Sequence, residues 1–159
     1  MQPTEVLTWE MFGHSTQDLA RQVLEDDFQP DFILAIARGG LFTAGALGYA
    51  LGVKLLHVVN VEFYTGRDER LQMPVMLPPI PDPDLFKGLK VLICDDVADT
   101  GATLETTHDF VQQHVAEVRS LVIYEKSRSI IKPEYVWKRT DDWIQFPWDE
   151  RAKIGTPDS

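Results

Sequence analysis

The stretch Val91-Leu92-Ile93-Cys94-Asp95-Asp96-Val97-Ala98-Asp99-Thr100-Gly101-Ala102-Thr103-Leu104 decides how the chain is read. An apolar run suited to a buried strand ends in two adjacent carboxylates. A tight turn with a third carboxylate then leads into a helix. Open α/β sheets bind ligands at the carboxyl ends of their strands. Residues 99–103 offer two hydroxyls, a flexible glycine and a helix N-terminus with free N–H groups, which together make a cradle for phosphate. Asp95 and Asp96 would repel an anion there unless they face hydroxyl groups or a metal ion on the same ligand. A sugar phosphate meets both conditions, with its phosphate in the turn and its ribose hydroxyls and Mg²⁺ beside the acids. A merely capped helix after a strand would leave the three carboxylates, two threonines and glycine without a purpose.

Working outward, the pattern is one of alternation. Ser15 is the expected N-cap of a helix that carries Leu19, Val23 and Leu24 on one face and is ended by Gln29-Pro30. Residues 32–37 are a continuous apolar run, the pattern of a strand covered on both faces. Arg38-Gly39-Gly40 breaks it, and a small-residue helix over 41–51 closes at Gly52. Strands are expected over 54–63, 89–94, 118–124 and 135–137, with a helix over 103–116. Residues 64–87 lack periodicity and hold five of the ten prolines, so they read as a long loop, either functional or disordered. Strand and helix alternating in this way predict an α/β fold: a mainly parallel twisted sheet flanked by helices. Trp137, Trp143 and Trp148 fall in a short acidic segment that reads as an appended lobe.

Composition narrows the function. A chain of 159 residues suits one domain. Its net charge of −10 argues against nucleic acid and anionic lipid as partners. No apolar window is long enough to span a bilayer, and the N-terminal residues lack the pattern of a signal peptide. The single cysteine, Cys94, fits a reducing, cytoplasmic setting. His108 and His114 lie six apart, the wrong spacing for a zinc pair on one helix face. Asp26-Asp27 and Asp141-Asp142 read as solvated charge.

Residues 92–103 resemble the signature of the type I phosphoribosyltransferase family: apolar residues, Asp-Asp, two variable positions, then Asp-Thr-Gly-x-Thr. The resemblance implies that Asp95 and Asp96 face ribose hydroxyls and Mg²⁺. It further implies that Asp99, Thr100, Gly101, Ala102 and Thr103 hold the 5′-phosphate of phosphoribosyl pyrophosphate (PRPP), and that Asp99 is the catalytic proton acceptor near N7 of a purine. Ile36-Ala37-Arg38-Gly39-Gly40-Leu41 is similar to the family's pyrophosphate loop, which makes Arg38 and Gly39 ligands of the leaving group. Lys126, directly after the 118–124 strand, looks like the lysine with which 6-oxopurine phosphoribosyltransferases hold the exocyclic oxygen. The pattern Trp143-Ile144-x-x-Pro147-Trp148 resembles the base site of bacterial xanthine-guanine enzymes, with Trp143 stacking and Ile144 offering backbone contacts, while Trp137 and Trp148 suit packing. Tyr64, Arg67 and Arg70 stand where the family carries its flexible loop.

By this resemblance the whole chain, 1–159, is one phosphoribosyltransferase domain. Its core is about 30–126, and a base-binding hood of about 127–150 belongs to a small lobe built from the chain termini. The implied reaction is transfer from PRPP to xanthine, guanine or hypoxanthine, with Mg²⁺, by a cytoplasmic homo-oligomer (dimer or tetramer). Transfer to another base is one competing reading. The other is a non-catalytic sensor of PRPP or a nucleotide, which would be expected to lose the acidic pair or Asp99.

Overall fold

The structure is a computed structural model that describes residues 3–65, 72–149 and 154–155. A six-stranded sheet has the order β4-β3-β2-β5-β6-β7, built from β2 (Phe32–Ala37), β3 (Leu56–Thr65), β4 (Gln72–Leu77), β5 (Lys90–Ala98), β6 (Glu117–Glu125) and β7 (Tyr135–Arg139). Every neighbouring pair is parallel except β3 and β4. Helices α1 (Trp9–Glu25) and α2 (Gly39–Leu51) pack on Ile33, Ala35, Leu92, Cys94, Leu121 and Ile123. Helix α3 (Ala102–Gln112) and Phe86 cover the opposite face, formed by Phe32, Leu34, Ile36, Val91, Ile93 and Val122. Two covered faces explain why these strands read as unbroken apolar runs instead of alternating ones. Among the described residues, no helix is long and apolar enough to cross a membrane.

Several expectations need correction. Helix α1 begins at Trp9, six residues before the expected cap Ser15. Thr8 is the N-cap, its hydroxyl accepting from the Met11 amide at 3.1 Å. Ser15 lies buried inside the helix and donates to the Phe12 carbonyl at 2.8 Å, so its hydroxyl is satisfied without ending anything. The helix stops at Glu25, with Asp27 at a φ of 52°, and not at Pro30. The expected 64–87 loop instead contains β4, paired antiparallel with β3 from Asn60↔Leu77 to Thr65↔Gln72. Pro74 concealed it. A proline is tolerated only where its missing N–H costs no ladder bond, and β4 is the edge of the sheet. Tyr64 lies opposite Met73 near the end of β3, whereas Arg67 and Arg70 fall outside the described residues.

The chain termini meet. β1 (Thr4–Val6) pairs in parallel with β8 (Trp143–Gln145), joining Thr4 to Trp143 and Glu5 to Ile144. Glu5 accepts from Lys138 Nζ at 2.9 Å and from the Tyr124 hydroxyl at 3.2 Å, which ties this small sheet to the large one. The acids read as merely solvated are partly structural. Asp26 accepts from the Tyr135 hydroxyl at 2.7 Å and pairs with Arg119. Asp141 accepts from both the amide and the hydroxyl of Ser127 at 2.9 Å.

Candidate active site

Because β2 and β5 run parallel and adjacent, their carboxyl ends bring two strand-to-helix turns side by side. The turn after β2 carries Arg38 and Gly39, and the segment ending β5 carries Asp95, Asp96 and then Asp99 to Thr103. They approach so closely that glycine is required. A Cβ on Gly39 would lie 1.9 Å from Asp96 Oδ2, and one on Gly40 would lie 2.5 Å from the Cys94 carbonyl. Between the turns is a cleft of about 430 Å³ lined by Arg38, Gly39, Asp95, Asp96, Asp99, Thr100, Gly101 and Thr103, with Val61 and Phe63 from β3. The Ala37–Arg38 peptide on its wall is cis.

The phosphate-type turn has the local geometry its sequence calls for. Gly101 sits at a φ of 83°, and a side chain there would also meet Ser129 Oγ at 2.5 Å. The Thr100 hydroxyl accepts from the Ala102 amide at 3.3 Å, and Ala102 opens α3. The first-turn amides of that helix carry the positive end of its dipole.

The acidic pair is electrostatically loaded. Burial holds the Asp95 carboxyl well above the usual carboxylate range, and the charge of Asp96 adds to this. Asp96 is also raised by burial, with hydrogen bonds involving Asp95, the Val97 amide and Trp148 offsetting part of the effect. The Asp96 amide donates to Asp95 Oδ1 at 2.8 Å, and the Val97 amide to Asp96 Oδ1 at 2.7 Å. Burial also pushes the Cys94 thiol up, so it stays a protonated core residue.

A second cleft of about 430 Å³ adjoins the first, lined by Lys126, Trp143, Ile144, Gln145, Phe146 and Asp149. Val97 and Asp99 line both clefts, so Asp99 stands where they meet. The Lys126 amide donates to the Ala98 carbonyl at 3.0 Å, which seats the lysine beside the end of β5. Trp143 remains 60 % exposed although its amide is fixed to the Pro3 carbonyl at 3.1 Å, so an anchored backbone presents a largely exposed ring. Ile144 is buried next to it.

The other tryptophans are engaged. Trp137 meets Tyr124 edge to face and donates to Asp18. Trp148 stacks on Phe42 and Phe146, with ring centroids 4.4 and 5.2 Å away. Its proximity to Asp96, which offsets part of the effect of burial on that carboxyl, escaped the sequence reading, which treated this residue only as packing. Arg128 escaped it as well: its guanidinium lies on Asp99 Oδ1 at 2.6 Å. A cation two residues beyond Lys126 carries no spacing signal of its own.

Comparisons with known proteins agree with this architecture. The family model described as phosphoribosyl transferase domain matches residues 3–154. The xanthine-guanine phosphoribosyltransferase of Chromohalobacter salexigens is 32% identical over 146 residues, covering 90% of this chain and 82% of that protein. The protein of the same name from Idiomarina loihiensis is 29% identical over 145 residues, covering 90% of this chain and 85% of its own. Among solved structures, a purine phosphoribosyltransferase from Pyrococcus horikoshii superposes with a TM-score of 0.85 at 37% identity, covering 96% of this chain and 99% of that one.

Proposed function

Because the chain belongs to the phosphoribosyl transferase family, we propose that it transfers the 5-phosphoribosyl group of PRPP to a 6-oxopurine. The products are a nucleoside 5′-monophosphate and pyrophosphate. One observation carries the reading: an acid- and amide-lined cleft meets an aromatic, lysine-bearing cleft at a single carboxylate, Asp99. The first suits a sugar phosphate and the second a flat base with an exocyclic oxygen.

In this reading the 5′-phosphate lies against the amides and hydroxyls of Thr100, Gly101, Ala102 and Thr103. The bond from ribose C1 to pyrophosphate breaks as a base nitrogen forms its bond to C1, and positive character builds on the ribose ring. Asp95 and Asp96 hold the ribose hydroxyls beside that charge. Arg38 and the Gly39 amide receive the negative charge that grows on pyrophosphate. Asp99 accepts the proton at N7 of the purine, Lys126 donates to the 6-oxo group, Trp143 stacks on the ring and Ile144 offers backbone contacts.

Two adjacent carboxylates, each raised by burial, are a donor set that a hard divalent cation relieves. Mg²⁺ characteristically takes one or two carboxylates plus substrate oxygens, and among the described residues no cluster of three or more ligating side chains offers a fuller cage. Mg²⁺ would be held by Asp95 and Asp96 and would supply charge neutralisation to pyrophosphate when bound. Tyr64, Arg67 and Arg70 enter the proposal only as the positions that match the family's flexible loop, Arg67 and Arg70 lying outside the described residues. The setting we assign is cytoplasmic purine salvage by a homo-oligomer, a dimer or tetramer.

The deciding experiment measures pyrophosphate release with PRPP, Mg²⁺ and each base in turn. Turnover is expected with xanthine, guanine or hypoxanthine, and not with adenine or a pyrimidine. Silence with all three 6-oxopurines overturns the reading. A companion substitution probes the close approach of the two turns. Since a methyl on residue 39 would displace the Asp96 carboxylate, Gly39→Ala should raise KM for PRPP about ten-fold. Steady-state kinetics at fixed base concentration would show it.

A further inference from the structure

We propose that Arg128 is a positioning residue for Asp99, gripping one carboxylate oxygen so that the other is presented to the base. The inference rests on the functional reading above and extends it to a residue that reading did not use. Arg128 Nε donates to Asp99 Oδ1 at 2.6 Å, and Nη2 lies 2.6 Å from the same oxygen. Both contacts fall on Oδ1, which leaves Oδ2 for a second donor. A carboxylate on a single-bond stem rotates freely, whereas a planar guanidinium engaging it through two nitrogens fixes its plane. The oxygen so fixed belongs to the one acid that lines both clefts.

The turn that carries Arg128 is fastened on every side. Ser127 donates through its amide and hydroxyl to Asp141 at 2.9 Å. The Ser129 amide returns to the Lys126 carbonyl at 3.1 Å, and the Ser129 hydroxyl donates to the Ile131 carbonyl at 2.6 Å. The Ile130 amide reaches the Thr100 carbonyl at 2.8 Å, within the phosphate-type turn itself. One short turn therefore places two cations: Lys126 in the base cleft and Arg128 on the acid at its mouth. Stability does not account for the pair. Arg128 and Asp99 side chains are 64 % and 43 % exposed, and ion pairs so open to solvent contribute little to folding. What the contact does supply is orientation.

The test is a double-mutant cycle over Arg128→Ala and Asp99→Asn, with Arg128→Lys as the conservative variant. It reads kcat/KM for the purine, KM for PRPP, melting temperature, and calorimetric binding of guanosine 5′-monophosphate. Arg128→Ala should lower kcat/KM for the purine about ten- to a hundred-fold, the upper end being the scale of a catalytic group misplaced by an ångström. KM for PRPP and the melting temperature should stay close to wild type, and Arg128→Lys should recover part of the loss. In the Asp99→Asn background, removing Arg128 should change neither turnover nor nucleotide binding further. An equal loss in both backgrounds would show that Arg128 contacts the ligand directly, and a loss confined to KM for PRPP would make it a phosphate ligand. Either result, or wild-type kinetics in Arg128→Ala, overturns the proposal while transfer by the wild-type enzyme stands. A wild type inert toward every 6-oxopurine brings down the functional reading itself.

Discussion

Asp95→Asn/Asp96→Asn protein is expected to fold, to melt no lower than the wild type, and to lose at least about a hundred-fold in turnover, the scale seen when a preorganised electrostatic group is removed. The two halves of this expectation come from one observation. Both carboxyls are raised by burial, and their mutual repulsion raises Asp95 further, so the pair is a folding liability in the absence of a counter-charge. Neutral isosteres remove that liability. The carbonyl of asparagine can also keep accepting from the Asp96 and Val97 amides, as Oδ1 of each acid does now. Function moves the opposite way, because a neutral amide does not balance charge on the ribose and holds a divalent cation far more weakly than a carboxylate does. A thermal melt and turnover at saturating PRPP over a range of Mg²⁺ would settle it. Near-wild-type turnover of the folded double variant at low Mg²⁺ would remove the pair from the chemistry.

A pair kept against the interest of stability is also what made this region legible from sequence. Buried strands announce themselves when both faces are covered, as in β2 and β5, because nothing polar interrupts the run. The acids at the end of β5 stand out against that background. Legibility failed where long-range pairing overrode local pattern. β1 and β8 are three residues each and gain their partners from opposite ends of the chain, so neither carries a periodicity of its own. β4 hid behind Pro74, which its edge position tolerates. Ser15 misled because its hydroxyl has two uses, capping a helix or bonding back within one, and only the surrounding packing decides between them. The clefts show the same division. Lys126, directly after β6, meets Trp143 and Ile144 of β8 in one cavity although the two segments are separate in sequence. Arg128 and Trp148 act on Asp99 and Asp96 by side-chain reach across the fold, which no linear spacing encodes.

The base cleft yields the second large effect, and its value lies in the contrast between two substitutions. If Lys126 donates to the 6-oxo group, Lys126→Ala should weaken use of hypoxanthine, guanine and xanthine by about 2–3 kcal/mol, the loss expected for a charged hydrogen bond. Adenine offers an amino group at that position, a donor facing a donor, so any weak binding of adenine should be unaffected or improved. Trp143→Ala should cost roughly 1–3 kcal/mol for every purine alike, since stacking is indifferent to exocyclic groups. Its ring is free to do this: the backbone is held by Pro3 while the side chain stays 60 % exposed. KM for PRPP should survive both changes, because the phosphate turn lies in the other cleft. Competition binding of a purine series to each variant separates the patterns, one selective and the other general. Equal loss of adenine and hypoxanthine on Lys126→Ala would make the lysine structural. Unchanged purine affinity in Trp143→Ala would move the base away from this ring. Trp137 could not replace it without giving up its contacts to Tyr124 and Asp18, nor could Trp148 without leaving the stack between Phe42 and Phe146. Among the described residues Trp143 is the tryptophan with no ring contact to another aromatic side chain, and base recognition would use it without dismantling such a contact.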